Sequence, residues 1–568
     1  MGEQLDSPKS VSITETKAPC QAGQIKLNRA LATGLTTTLL FCVLLSVWLF
    51  YDKHVPTSDE ANHVMNGMTY ADLLQHARPF RAAWWQKFFT VNTYYPPVGT
   101  LVMGIFLAAI KDSVLALQLA KLFWIVILSL SVGLIAFIVA ESSTAVLIAI
   151  TVVNSCIIVC DFSHSSLIDQ PLVSMVAFGL AAVIWKGGSA STPKSIAAGT
   201  ILGLAIMTKQ VAIAFLGFPI VIGIGSTLKR NGLKKALKST LLLMLPLALI
   251  CLPWTTLNFN SMQQLNAEIA ADLAKRGTPW DRIKFNIEYY LESWVYCASP
   301  LVFLSSLVGL FACTKEQHKK LAILWASMLP AAAALCLISC QPARDRYLAP
   351  IVVLIAISAG IGLAQLKKRS KAAFLVCLAF LSPINCLQFL SFNFCPYPIS
   401  DQAWLTSLAP SLTCKLREHV SPFFDRLKNI VYADHIPPNN EGGQLAIKIL
   451  ECISAQDSKL ASWLNITAIS GGLDVHEMEL LAKLRGLPIK PTTSRLWTAL
   501  GDKEVFSEEL ARHCRWYIIK EGDQGFRFAN KESEEAHEKL IAFVKRSYNE
   551  VETFTALDGT QLSLYCAR

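Results

Sequence analysis

The chain has 568 residues, of which 53% are hydrophobic and only 16% are charged. Soluble domains carry about 25% charged residues, so this composition excludes an ordinary soluble globular protein and indicates a polytopic membrane protein. The net charge of +10 does not indicate nucleic-acid binding, because the basic residues cluster in short loops between apolar segments.

A polar tail over residues 1–29 precedes the first apolar segment, which extends from about Ala30 to Tyr51. The tail lacks a small-residue cleavage site, and we therefore predict a retained signal anchor with a cytoplasmic tail. Two carboxylates, Asp59 and Glu60, follow this segment directly. Acids in this position predict acid/base chemistry at the boundary between water and lipid.

Ten further apolar segments predict a total of about eleven spans. The two segments on either side of Lys209 are short and form either two spans or one broken pair. The predicted segments cover residues 115–139, 144–161, 170–186, 195–208, 211–227, 239–257, 293–313, 321–340, 347–365 and 372–391.

The segment from Tyr95 to Ile110 is apolar for only about 15 residues, which is shorter than the roughly 20 that a span needs. We predict that it lies on the membrane surface, because the basic tail and four basic loops then all fall on the cytoplasmic side. Those loops cover residues 186–194, 229–238, 315–320 and 367–371.

This topology predicts that the charged residues at the span ends converge on the exterior face. The converging residues are Asp59, Glu60, Asp169, Lys209, Arg344, Arg346 and the neighbouring Tyr347. Ionisable groups near a span are costly and seldom lack a function, although each one alone is also compatible with an anchoring charge. The aromatic residues of the surface segment, Trp84, Trp85, Tyr94 and Tyr95, are explained as an interfacial belt.

We expect three parts: the cytoplasmic tail (1–29), a transmembrane module (30–395) with an exterior loop (52–114), and an exterior soluble α/β domain (396–568). The composition becomes that of a soluble domain from about Pro396 onward. Its apolar patterns predict helices over Glu441–Ser454 and Val475–Arg485, and strands over Trp516–Lys520 and Leu562–Cys566. With eleven spans, this domain lies on the periplasmic side of a plasma (inner) membrane.

Five short motifs occur in a fixed order along residues 30–365. They are Asp59-Glu60, Tyr95-Pro96-Pro97-Val98-Gly99, Leu167-Ile168-Asp169-Gln170-Pro171-Leu172, Gly203-Leu204-Ala205-Ile206-Met207-Thr208-Lys209 and Arg346-Tyr347-Leu348-Ala349-Pro350. In this order and topology the chain resembles the polyprenyl-phosphate-sugar-dependent glycosyltransferases of the glycosyltransferase C superfamily. The most similar groups are the protein O-mannosyltransferases and the lipid A aminoarabinose transferases.

The resemblance implies a sugar donor linked to a polyprenyl phosphate and a lipid, glycan or protein acceptor. It also implies that Asp59 is the general base and that Glu60 orients acceptor or donor. Lys209 and one of Arg344 or Arg346, with Tyr347 beside them, are implied to bind the donor phosphate. Asp169 and His63 are implied to bind the sugar or a divalent metal, and metal use differs among related enzymes. His63 is a departure, because that family often has an aromatic residue there, and it is equally compatible with an ordinary surface histidine.

Two other classes of protein remain compatible with the sequence. A transporter or lipid flippase would carry charged residues along a path, but we find no paired repeat with broken helices at mid-membrane. A membrane scaffold with an exterior binding domain leaves the two acids after the first span unexplained. The sequence therefore favours the transferase.

Overall fold

The computed structural model describes most of the membrane module and several parts of the C-terminal domain. The described residues are 18–51, 56, 58–274, 278, 280–281, 283–284, 286–287, 300–338, 345–347, 349–379, 382, 441–456, 462–466, 475–493, 498–500, 503–505, 507–520, 531–555 and 561–568. Arg344 and most of the predicted 372–391 segment lie outside these residues.

The described part of the membrane module is helical. Its helices are α1 (Ala18–Tyr51), α2 (Ser58–Gln75), α3 (Ala82–Phe89), α4 (Val98–Ala109), α5 (Ser113–Ala140), α6 (Ser143–Ser155), α7 (Ile157–His164), α8 (Asp169–Lys186), α9 (Thr192–Ile206), α10 (Ala212–Ala274), α11 (Pro300–Ala312), α12 (Lys315–Ile338) and α13 (Val352–Arg369). Two short 3₁₀ turns, Asp345–Tyr347 and Ala349–Ile351, precede α13.

Four helical segments of the described residues are long and apolar enough to cross a membrane. They are Gln24–Val47, Ser113–Ala140, Ala212–Ala267 and Ala349–Arg369. A fifth is possible if α6 and α7, which are bent by 62° at their junction, form one broken span. The predicted polytopic helical membrane fold is confirmed.

The α10 range covers nearly all of the two predicted segments 211–227 and 239–257, as two helices that meet at a kink. Gly232, with φ of +75°, interrupts the helical backbone between them. Only glycine adopts this conformation without strain, and the basic residues 229–238 surround the break. The break therefore coincides with the basic loop that the sequence predicts between two spans.

Helix α4 is the surface segment of the sequence prediction. Its 12 residues extend about 18 Å, which is well short of the roughly 30 Å hydrocarbon core of a bilayer. It packs closely against α2, and a Cβ added at Gly104 would lie 2.6 Å from Tyr70 Cβ. This contact fixes the position of α2, which carries Asp59 in its first turn.

The core of the membrane module is formed mainly by α5, α6, α8 and α13, whose facing residues are almost fully buried. Polar links cross it: Ser174 Oγ of α8 donates a hydrogen bond of 2.9 Å to Trp124 O of α5, and Asn154 Nδ2 of α6 donates one of 2.8 Å to Ser129 Oγ of α5. A buried side-chain bond of this kind fixes the relative position of α5 and α6, because breaking it would leave a polar group unsatisfied.

The C-terminal domain is built on a small mixed sheet. Its described elements are α14 (Glu441–Gln456), β1 (Ser462–Ile466), α15 (Val475–Leu484), β2 (Ile489–Thr493), β3 (Thr498–Leu500), β4 (Lys503–Val505), α16 (Glu508–Ala511), β5 (Trp516–Lys520), α17 (Lys531–Ser547), β6 (Tyr548–Thr555) and β7 (Gln561–Ala567). Five strands form one sheet in the order β2-β1-β5-β7-β6, in which β1 is parallel to β2 and β5, and β7 is antiparallel to β5 and β6. The α/β character and both predicted strands are confirmed.

The C-terminal domain contacts the membrane module through α15 and α2. Leu480, which is 1% exposed, lies in one apolar cluster with Ala61, Val64 and Met65. Lys483 Nζ donates to Thr69 Oγ1 at 3.5 Å beside this cluster. The helix that carries Asp59 is therefore held between α4 and the C-terminal domain.

Candidate active site

Two acids and two cations from distant parts of the sequence form one cluster. Lys209 Nζ lies 2.7 Å from Asp169 Oδ1. Arg346 Nη1 lies 3.8 Å from Asp169 Oδ2 and 3.4 Å from Asp59 Oδ2. Arg346 is therefore the residue that connects the two acids.

The four side chains of the cluster differ in their exposure to solvent. Asp169 is 1% exposed and Lys209 is 8% exposed, whereas Arg346 is 17% and Asp59 is 51% exposed. The Asp169–Lys209 pair is thus enclosed, and its charges compensate each other where desolvation is most costly. Asp59 is the acid that a substrate can reach.

Two local features hold the enclosed pair in place. Asp169 is the first residue of α8, where the positive end of the helix dipole stabilises a carboxylate. Lys209 follows α9, and the intervening Met207 O accepts a hydrogen bond of 2.9 Å from Val98 N, the first residue of α4. The Tyr-Pro-Pro-Val-Gly motif and the Gly-to-Lys209 motif are therefore joined through their backbones.

Aromatic rings line the cationic side of the cluster. Lys209 Nζ lies 5.5 Å from the ring centre of Tyr347 and 5.9 Å from that of Tyr95. The guanidinium carbon of Arg346 lies 5.8 Å from the Tyr347 ring centre. These distances are within the range of cation–π attraction, so the rings stabilise the two cations without competing for their hydrogen bonds.

His63 lies one helical turn after Asp59 and is 3% exposed. Its ring meets Tyr95 edge to face, with the ring centres 5.5 Å apart. Burial lowers the pKa of His63 to about 4, although Asp59 and Asp169 act in the opposite direction. His63 is therefore neutral near pH 7 and packs as an aromatic ring against Tyr95.

Glu60 faces a different part of the site from Asp59. Its Oε2 accepts a hydrogen bond of 3.1 Å from the backbone N–H of Ser166. Two residues before Ser166, the carbonyl oxygen of His164 accepts a bond of 2.6 Å from Lys121 Nζ. Both side chains hold the turn that leads into Asp169.

Two residues of the site, Lys121 and Ser166, are not among those predicted from the sequence. A signal for Lys121 is present in the sequence, because it is the one charged residue within the predicted span 115–139. Ser166 contributes through its backbone N–H, which every residue but proline possesses. No side-chain pattern indicates it.

The structure brings together Asp59, His63, Asp169, Lys209, Arg346 and Tyr347 from the predicted set, and places Glu60 on the adjacent turn. Arg344 lies outside the described residues. The possible divalent metal is not supported by the donor set, because Asp169 already faces two cations. Within the described ranges, no group of three His, Cys, Asp or Glu side chains is arranged to hold a metal ion.

No family model matches the chain, and no curated protein matches it. Solved structures do match. The chain shares its fold with ArnT. Against ArnT from Cupriavidus metallidurans bound to undecaprenyl phosphate, the TM-score is 0.54 at 14% identity over 94% of this chain and 97% of ArnT. Against the apo state of the same protein it is 0.50, again at 14% identity, over 94% and 98% of the two chains.

A weaker match is to the arabinosyltransferase EmbB from Mycobacterium smegmatis. The TM-score is 0.38 at 12% identity over 61% of this chain and 32% of EmbB, and we draw nothing from it. The similarity to ArnT extends over nearly all of both chains, including the C-terminal domain. It shows that the chain has the fold of ArnT, which agrees with the fold that the sequence resemblance predicts.

Proposed function

We propose that this protein is a membrane glycosyltransferase that moves a sugar from a polyprenyl-phosphate donor to an acceptor hydroxyl. The observation that carries the proposal is the cluster itself: two cations flank a buried acid, and a second acid lies exposed beside them. Transfer of a phosphate-linked sugar needs cations near the donor phosphate and a base that takes the proton of the acceptor hydroxyl. The cluster offers both within one site.

Arg346 is suited to bind the donor phosphate. Its contacts with Asp59 and Asp169, at 3.4 and 3.8 Å, are longer than the 2.7–2.9 Å that is typical of a strong charge-assisted bond. An arriving phosphate can therefore replace a weak contact by a bidentate one. Lys209 is bound tightly to Asp169 at 2.7 Å and contributes positive charge while it fixes that acid.

Asp59 is suited to act as the general base. In a single displacement, the acceptor hydroxyl gives its proton to Asp59, and its oxygen forms a bond to the anomeric carbon of the sugar. The bond between that carbon and the phosphate oxygen breaks, and polyprenyl phosphate leaves as an anion. No catalytic acid is needed, in contrast to glycoside hydrolysis, because phosphate is already a good leaving group.

The identity of the donor lipid is supported by ArnT, which shares this fold and has been seen bound to undecaprenyl phosphate. The acceptor is a lipid, a glycan or a protein that reaches the exposed side of Asp59. The distribution of basic loops supports a multi-pass protein of the plasma (inner) membrane, with the site and the C-terminal domain on the exterior, periplasmic side.

The test is to supply the purified protein with undecaprenyl-phosphate sugars and a mixed acceptor extract, and to follow release of undecaprenyl phosphate. We expect release that depends on acceptor. A protein reconstituted in liposomes that moves the donor lipid across the bilayer, and releases no undecaprenyl phosphate, would instead be a flippase.

A further inference from the structure

Tyr95 is the residue of the Tyr-Pro-Pro-Val-Gly motif that borders the charged cluster. Its ring centre lies 5.9 Å from Lys209 Nζ and 5.5 Å from the ring centre of His63. The preceding residue, Tyr94, is 50% exposed. The two neighbouring tyrosines therefore differ in their surroundings, and Tyr95 is the one that belongs to the site.

The hydroxyl of Tyr95 is free, whereas buried tyrosine hydroxyls elsewhere in the protein are bonded. Tyr70 OH donates to Phe88 O at 3.1 Å, and Tyr517 OH donates to Ala511 O at 2.7 Å. Among the described residues, the Tyr95 hydroxyl makes no hydrogen bond, and it is not one of the unpartnered atoms that are sealed from solvent. A ligand can therefore reach this hydroxyl and bond it without breaking a contact within the protein.

The Tyr95 hydroxyl is also close to the charges of the cluster and keeps its proton. Burial raises the pKa of Tyr95, and the negative charge of Asp59 adds to this effect while Arg346 opposes it. Near pH 7 the group is thus a neutral phenol that donates a hydrogen bond. Because both Asp59 and Arg346 act on this hydroxyl, it lies near the two side chains that the proposed reaction uses.

Asn92 fixes the backbone from which the Tyr95 side chain projects. Its Oδ1 accepts hydrogen bonds of 2.8 Å from the backbone N–H groups of both Tyr94 and Tyr95, and Asn92 itself is 8% exposed. An asparagine that bonds the backbone two and three residues later stabilises a tight turn. Helix α10 holds this turn from outside, since Trp254 Nε1 donates to Asn92 O at 3.1 Å.

The chemistry of the site indicates which group the Tyr95 hydroxyl bonds. In the proposed reaction, the anionic group that arrives at Arg346 is the donor phosphate, whose oxygens are strong acceptors of hydrogen bonds. A neutral donor held in place before binding adds a bond to that phosphate without the cost of burying another charge.

We propose that the Tyr95 hydroxyl donates a hydrogen bond to the phosphate of the polyprenyl donor, and that Asn92 is the positioning residue that holds it there. This inference rests on the proposed function, because it assumes a phosphate-linked donor beside Arg346. It adds one substrate contact and one positioning residue to the charged groups of the cluster.

Tyr95→Phe tests the contact, because it removes only the hydroxyl and keeps the ring beside Lys209 and His63. The affinities of the purified protein for undecaprenyl phosphate and for undecaprenol, which lacks the phosphate, are compared. We expect Tyr95→Phe to weaken the binding of undecaprenyl phosphate by about tenfold and to leave the binding of undecaprenol and the Tm unchanged. Tyr94→Phe is the matched control and should change none of the three quantities.

Two substitutions of Asn92 test its positioning role. Asn92→Ala removes the oxygen that bonds the turn and should weaken the binding of undecaprenyl phosphate by at most the same factor as Tyr95→Phe. Asn92→Asp keeps an oxygen in that place and should bind like the wild type. The double variant Asn92→Ala/Tyr95→Phe should bind no more weakly than Tyr95→Phe alone, because Asn92 acts through that hydroxyl. Additive losses would overturn the role of Asn92.

The outcomes separate this proposal from the proposed function. Tyr95→Phe with wild-type affinity for undecaprenyl phosphate would overturn the contact, even if sugar transfer were slower, because the hydroxyl would then serve the acceptor. Equal weakening of undecaprenol binding would overturn it too, since Tyr95 would then act on the lipid chain. A wild-type protein that does not bind undecaprenyl phosphate would contradict the proposed function instead.

Discussion

Replacing Lys209 by methionine should separate the structural part of the charged cluster from its catalytic part. The substitution removes the charge but keeps an apolar chain of similar length. It leaves the carboxylate of Asp169, which is 1% exposed, with Arg346 at 3.8 Å as its remaining cation. Removing one partner of a buried ion pair costs about 3–5 kcal/mol, and we expect the lower end because Arg346 compensates part of the charge.

A second substitution, Asp169→Asn, tests whether the unpaired Asp169 carboxylate causes the loss of stability in Lys209→Met. Lys209→Met combined with Asp169→Asn leaves no unpaired buried charge, so the double variant should recover most of the lost stability. It should remain inactive, because the site then lacks both the acid and one of its cations. Lys320→Met is the matched control: Lys320 pairs with Glu316 at 3.4 Å on an exposed helix surface, where an ion pair contributes about 0–1 kcal/mol.

Two assays are needed. The first is thermal unfolding in detergent, and the second measures the release of undecaprenyl phosphate from the donor at a temperature at which all variants are folded. We expect a clear fall in Tm for Lys209→Met, a Tm close to wild type for the double variant, and little change for Lys320→Met. A Lys209→Met variant as stable as the wild type, or a double variant less stable than both single variants, would show that an unpaired Asp169 carboxylate is not the cause of the lost stability.

Three further predictions concern neighbouring residues. Glu60→Gln replaces the charged carboxylate that accepts the Ser166 N–H by a neutral amide, which weakens that hydrogen bond. We expect kcat to fall by about tenfold, with little change in the KM of the donor. A rise in the KM of the acceptor alone would instead mean that Glu60 binds the acceptor. The lowered pKa of His63 means that the unfolded chain binds more protons between about pH 6.5 and 4. Stability should therefore fall as pH decreases through this window, by up to about 3 kcal/mol, and His63→Phe should flatten that slope in Tm-versus-pH profiles. Leu480→Ala should loosen α15 from α2 by about 2–5 kcal/mol and speed proteolytic release of the C-terminal domain, whereas Leu484→Ala, at a residue that is 46% exposed, should not.

The sequence predicts the helical elements well because their cause is local. The length of an apolar segment and the charges that flank it depend only on consecutive residues. The predicted 115–139 segment therefore agrees closely with helix Ser113–Ala140. The same holds for β5 over Trp516–Lys520, whose β-branched and aromatic residues favour a strand.

The arrangement of the site depends on tertiary packing, and the sequence predicts only part of it. The positive-inside rule predicts that Asp59, Asp169, Lys209 and Arg346 share one side of the membrane. It does not predict that Asp169 pairs with Lys209 across 40 residues, because that distance depends on how α8 packs against α9. The orientation of Glu60 toward Ser166 is likewise decided by the 164–169 turn.

The proposed role of Asp59 is to remove the proton of the acceptor hydroxyl, and Asp59→Asn is the sharpest test of that role. Asparagine keeps the shape of the side chain but has no basic carboxylate. Asp59 is half exposed, so we expect the variant to fold and to bind undecaprenyl phosphate like the wild type. The measurement is single-turnover sugar transfer with donor already bound. We expect transfer to fall by at least about a hundredfold, whereas transfer at the wild-type rate would rule out Asp59 as the base.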